Sequence, residues 1–205
     1  MKFNTVEKSA IFSFVFLFLL SFTGFAGKCK SINEKIFRFH ILANSDEQRD
    51  QALKIKVRDR VLVDFGEEIC ECKNKEDARE KTKKLLNKIE DSANDEVKKQ
   101  GYNYKVTAST ENTYFDTRVY DQVSLPAGNY EALKILIGKG EGKNWWCVMF
   151  PNMCLPAAQS KHNNERSQKI DDVLSKSETE IVKNKSKYEI RFKMFEIYQA
   201  LKRNF

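Results

Sequence analysis

The sequence predicts an α+β domain, with two helices in the N-terminal half packed on a largely antiparallel sheet of about four to five strands and an amphipathic extension at the C-terminus. Three observations carry this. Helical periodicity governs residues 45–100, period-two alternation takes over after Gly101, and helical periodicity returns in a basic background from Ile170 onward. The chain has 205 residues, 41% of them hydrophobic and 12% aromatic, which suits one core with appendages better than two domains.

The first strand is residues 36–42, an apolar and aromatic run closed by Asn44-Ser45-Asp46. A helix follows, with Ser45 as N-cap and Gln48 three positions on completing a capping box, and with Leu53, Val57, Val61 and Phe65 recurring every four residues. Gly66 marks a bend or stop. Asn74 caps the second helix, which buries Leu85, Leu86, Ile89, Ala93 and Val97 and ends at Gly101. Tyr102, Tyr104, Val106 and Ala108 then line one face of a half-exposed strand, and residues 114–123 form a second β-rich stretch. Leu125-Pro126-Ala127-Gly128 is a turn. Residues 130–137 and 145–150 are two more strands, joined by a glycine-rich hairpin turn over 138–143. Residues 157–169 read as a polar linker. The basic segment 170–205 carries Ile170, Val173, Leu174, Ile181, Phe192, Phe195 and Leu201 at helical spacing, although 188–192 fits a strand equally well.

The N-terminus points to export. Lys2 and Lys8 precede an apolar run over 10–20, and Gly24-Phe25-Ala26 offers small residues where a signal peptidase reads, so residues 1–26 are expected to be a signal peptide and 27–156 the folded domain. Because no charge stands between Lys8 and Lys28, an uncleaved anchor is the alternative. In an oxidising compartment the five cysteines are disulfide material first, and Cys147 with Cys154 is the best candidate pair because Pro151 can turn the chain between them.

The net charge of +7 is modest, and charges of both signs alternate along most of the chain, as in residues 73–84. That is the pattern of a solvated helix face and argues against nucleic acid. The C-terminal segment reads as an amphipathic helix that packs on the domain or sits at its surface, with membrane contact through it or through the leader as the sharper alternative.

No metal or cofactor site is expected: C-x-C and C-x6-C spacings with two histidines match no zinc pattern, and Gly138, Gly140, Gly142 and Lys143 lack the spacing, hydroxyl and following helix of a phosphate loop. A nucleophilic site would have to use His40 with Cys147, since His162 lies in the polar linker. Asp46 and Asp116 are the carboxylates placed to matter, each with an ordinary role at a helix start or turn. What stands out is the set Arg38, His40, Asn44, Ser45, Asp46, Arg58 and Arg118, polar groups in or beside apolar segments, together with Trp145-Trp146. Arginine and tryptophan are enriched at binding hot spots, and adjacent tryptophans on a strand face opposite ways. We expect these residues to bind a partner and no residue to be catalytic. An exported hydrolase and a basic polyanion or membrane-surface binder are the alternatives.

The blocks Phe37-Arg38-Phe39-His40-Ile41-Leu42-Ala43-Asn44-Ser45-Asp46, Leu125-Pro126-Ala127-Gly128-Asn129-Tyr130 and Asn144-Trp145-Trp146-Cys147, in this order, resemble the stage II sporulation protein R family. Asp116 stands where that family usually has proline, and Asn152 and Pro156 depart from its pattern around Cys154. The resemblance implies a secreted signalling protein of endospore formers, acting in the space between forespore and mother-cell membranes. Its partner would be a membrane-embedded aspartic protease of the mother cell, met on its extracytoplasmic face and activated to process pro-sigma-E.

Overall fold

The computed structural model describes residues 4–120, 122–153 and 169–204. Its centre is a four-stranded sheet in the order β2-β5-β1-β6, built from β1 (Phe37–Leu42), β2 (Val106–Phe115), β5 (Gly128–Ile137) and β6 (Asn144–Phe150). A separate ribbon pairs β3 (Arg118–Tyr120) with β4 (Val123–Leu125). The α+β class and a largely antiparallel sheet are as the sequence predicts. β1 pairs antiparallel with β6, and β2 with β5, while β1 and β5 run parallel.

Strand alternation gives the sheet two apolar faces. On one, Phe37, Phe39, Ile41, Val106, Leu133, Ile135, Ile137 and Met149 meet Leu53, Val57 and Val61 of α2 (Gln48–Val61) and Ile89, Ala93 and Val97 of α4 (Lys75–Lys99). On the other, Phe115, Tyr130, Ala132 and Val148 meet α1 (Thr5–Lys35), α6 (Lys176–Lys183) and α7 (Lys185–Asn204). Each fully buried aromatic or aliphatic side chain contributes roughly 1.5–3 kcal/mol, so both faces are needed. The C-terminal segment is therefore an integral outer layer of three helices, counting α5 (Ile170–Val173), and 188–192 is helical within α7. Helices on one face alone would leave Phe115 and Val148 in water.

Local chemistry explains most boundaries. Asn74 accepts a hydrogen bond from Asp77 N and starts α4 as expected. The far end closes through Gly101 N to Lys98 O and Tyr102 N to Val97 O, satisfying two last-turn carbonyls. α4 also protects the sheet edge: Val106 N donates to Asn94 Oδ1 at 2.9 Å and Ala108 N to Glu90 Oε2 at 2.8 Å.

Four local expectations need correction. Ser45 is not an N-cap: α2 starts three residues later behind Glu47, and the Ser45 hydroxyl bonds Asp50 instead. Gly66 does not stop the helix, which passes through a wide π-type turn over Leu62–Gly66 into α3 (Glu67–Cys70). Tyr114 and Phe115 end β2, so 114–123 is split between β2 and the ribbon. The 138–143 loop is not a hairpin, because β1 lies between β5 and β6. It arches over the end of β1 and uses glycine for close approach: a Cβ on Gly138 would collide with the Asn44 side chain, and one on Gly142 with the Ser45 carbonyl.

Among the described residues no helix is long and apolar enough to cross a membrane. Cys154, His162 and the linker expected over 157–169, apart from Lys169, lie outside the described residues.

Candidate partner-binding surface

The fold sorts the sequence-selected residues into three places. The first is the corner after β1, where Asn44, Ser45 and Asp46 are held by bonds within the chain. Asn44 Nδ2 and Ser45 Oγ donate to Asp50 Oδ2 at 2.8 and 2.7 Å, and Tyr104 Oη donates to Asp50 Oδ1 at 3.2 Å. Burial works against the Asp50 carboxylate, but these three donors outweigh it and hold its pKa below the ordinary range. From the loop above, Lys139 N donates to Asn44 Oδ1 and Lys143 N to Asp46 Oδ1, at 3.1 and 2.6 Å. The corner is thus a clamp fixing the 138–143 loop against α2.

The second place adjoins it. Lys54, nearly two turns into α2 and buried, donates through Nζ to the Lys143 carbonyl at 2.8 Å and to Gln51 Oε1 at 2.7 Å. One turn further, the Arg58 guanidinium lies 4.9 Å from the Trp145 ring centroid, and that ring meets Phe39 edge-on at 5.7 Å. Arg58 and Trp145 are both half-buried, forming a cation–aromatic ledge at the sheet rim.

The third place is on the opposite face. The His40 ring stacks on Trp146 with centroids 3.6 Å apart, and its Nε2 is 3.0 Å from Asn144 Oδ1. Burial lowers the His40 pKa to about 4, so the ring is neutral near pH 7. Arg38, with 0% exposure, has its guanidinium 3.8 Å from the Phe115 centroid and 4.8 Å from that of Tyr130, and donates to Tyr120 Oη on the ribbon. Among the described residues its Nε and Nη1 have no hydrogen-bond partner. Arg118, two residues before Tyr120 on β3, is exposed.

The two tryptophans do face opposite ways, and both are half-buried, so neither is simply core. The same alternation separates His40 from Cys147: Cys147 pairs with Phe39 and packs on the α2–α4 face, whereas His40 packs with Trp146 on the other. Among the described residues the free cysteines are Cys29, Cys70 and Cys72, and no His/Cys/Asp/Glu group is arranged to hold a metal ion. The sequence reading missed Asp50, Lys54 and Tyr104. A carboxylate and a lysine on the apolar side of α2 were the available signal, because buried charges need partners.

A mixed sheet between two helical layers, with a hydrogen-bonded clamp at the end of β1 and an arginine–tryptophan ledge at its rim, defines a small three-layer α+β domain. Residues 33–161 match the family model described as stage II sporulation protein R. The chain is also 34% identical over 158 residues to "Stage II sporulation protein R" of Bacillus subtilis (strain 168), covering 72% of this chain and 70% of that protein. The chain belongs to the stage II sporulation protein R family. No solved structure matches it.

Proposed function

We propose that this protein is an exported signal of sporulation, delivered into the space between forespore and mother-cell membranes, where it activates a membrane-embedded aspartic protease of the mother cell to process pro-sigma-E. The observation that carries this reading is an export-type leader, with Lys2, Lys8, an apolar run and Gly24-Phe25-Ala26, ahead of a domain of a sporulation family. The protein acts as a ligand and not as an enzyme. A ligand raises a protease's activity only by binding its active state better than its resting state.

The ledge of Arg58 and Trp145 on one face of the sheet and the exposed Arg118 on the other are the parts of the candidate set whose side chains reach the surface. Arg38 and His40 are buried under the face opposite the ledge, and Asn44, Ser45 and Asp46 set the loop that leads to it. Cys147 pairs with Cys154 in the oxidising space, tying the end of β6 to the chain that follows.

The test is processing of pro-sigma-E in cells that make the membrane protease, with this chain exported beside it or withheld. Processing that requires the exported chain, survives His40→Phe and drops with Trp145→Ala supports the reading. Processing that proceeds equally without the chain overturns it.

A further inference from the structure

α1 does not end where the leader reading would cut it. It continues unbroken from Thr5 to Lys35, and its Phe25 is only 3% exposed. The Phe25 ring stacks on Tyr188 at 6.0 Å and meets Phe192 and Phe195 edge-on at 5.6 and 6.3 Å. Phe22, almost one turn earlier, meets Tyr198 edge-on at 6.0 Å. Arg191 closes the rim, donating to Ser21 Oγ at 3.3 Å with its guanidinium 6.0 Å from the Phe25 centroid. The rest of the contact is loose. A cleft of about 210 Å³ remains between the helices, bordered by Gly24, Lys28 and Ile181.

Phe25 belongs to the second core, and residues 27–35 are anchored in it at further points. Cys29 and Ile32, both with 0% exposure, belong to the second core, and Lys35 pairs with the buried Glu178 at 2.6 Å. Cutting after Ala26 therefore leaves this half of α1 in place and removes Phe22, Phe25 and Ala26 from the second core and Ser21 from Arg191, opening the aromatic groove on α7. Phe192 and Phe195, now 4% and 1% exposed, would lose that cover. Apolar surface of this kind, once uncovered, favours a new partner.

We infer that the end of the leader is a placeholder, and that its removal opens a groove on α7 for a partner's apolar helix carrying two aromatic side chains one turn apart. The chemistry of the occupant is given by the segment it replaces: a helix with Phe22 and Phe25 on one side, over Tyr188, Phe192, Phe195 and Tyr198. Helix-in-groove recognition uses such i, i+3 anchors. The coupling makes export and activity one event, because the uncut chain fills its own binding groove. This inference rests on residues 1–26 being a removable leader, which N-terminal sequencing of the exported chain tests separately.

The experiment uses the full chain with a site-specific protease sequence inserted between Ala26 and Gly27, purified folded and then cut. The probe is a dye-labelled synthetic peptide of residues 16–26 flanked by lysines, read by fluorescence anisotropy. We expect the cut chain to bind it at least about tenfold more tightly than the uncut chain, and Phe22→Ala with Phe25→Ala in the peptide to cost about tenfold or more. Tyr198→Ala, at a half-open rim position, should weaken binding to the cut chain about threefold without changing its circular dichroism. Equal binding to cut and uncut chains, or none to a cut chain that keeps its fold, overturns the inference. So do loss of the fold on cutting, which would make Phe25 a structural residue, and dimerisation of the cut chain in sedimentation, which would make the occupant a second copy.

Discussion

The Arg38 guanidinium lies 3.8 Å from the centre of the Phe115 ring, sealed from solvent and, among the described residues, with no carboxylate paired to it. Burial lowers its pKa, and the attraction is to the faces of aromatic rings and to the Tyr120 hydroxyl. A buried cation supported this way is costly to desolvate, so an apolar side chain of similar volume should serve nearly as well. Arg38→Ala should destabilise by ~3 kcal/mol through the cavity it leaves, and Arg38→Met by at most about 1 kcal/mol. Urea unfolding of the two variants checks this. Equal losses would mean that the guanidinium–ring contacts hold the site.

Acid should unfold the protein in two stages. His40 titrates near 4 in the fold and near 6.5 unfolded, so the unfolded chain takes up a proton that the fold refuses, and stability is lost as pH falls from about 6.5 to about 4. Glu178 is pushed upward by burial but held down to about 2 by Lys35, Ser31 and Ser175; its contribution is complete above about 4.5 and lost as pH falls toward 2. Each stage is worth roughly 3 kcal/mol. Urea midpoints at pH 7.5, 5 and 3 measure them, with His40→Phe flattening the upper stage and Glu178→Gln the lower.

Asp50→Ala should release the loop as well as cost stability. It strips the acceptor from Asn44, Ser45 and Tyr104 together, a loss of about 2–4 kcal/mol. Amide exchange should speed up at Lys139 and Lys143, whose N–H groups bond Asn44 and Asp46. Unchanged exchange there would separate the loop from the clamp.

Gly142→Ala should be more damaging than Gly27→Ala. A Cβ at Gly142 meets the Ser45 carbonyl, which is backbone and cannot swing aside, whereas nothing stands within 4 Å of one at Gly27. Thermal unfolding should drop by several degrees for the first and stay level for the second.

Much of this was readable from residue order. Asn74 and Gly101 carry their helix-ending chemistry in their own side chains or lack of one, so α4 could be placed almost to the residue. The alternation from Tyr102 to Ala108 likewise showed which side of β2 is wet. What sequence could not supply was neighbourhood. Nothing in Gly138 to Lys143 says that β1 will slip between the two strands it joins, and nothing at Ser45 says that its hydroxyl will donate to Asp50 and accept from Glu47 N in place of capping the helix. The second apolar face was missed for the same reason: Phe115 and Val148 look like ordinary strand residues until α7 is seen to cover them.

The loop that arches over β1 has a consequence for the order of assembly. β1 is the first strand of the chain, yet both of its partners arrive late, Phe37 pairing with Glu131 on one side and Phe150 on the other. Pairings so distant along the chain close slowly. A chain emerging N-terminus first cannot complete its central sheet until β6 has followed, so the topology itself holds back the final fold until almost all of the domain is present.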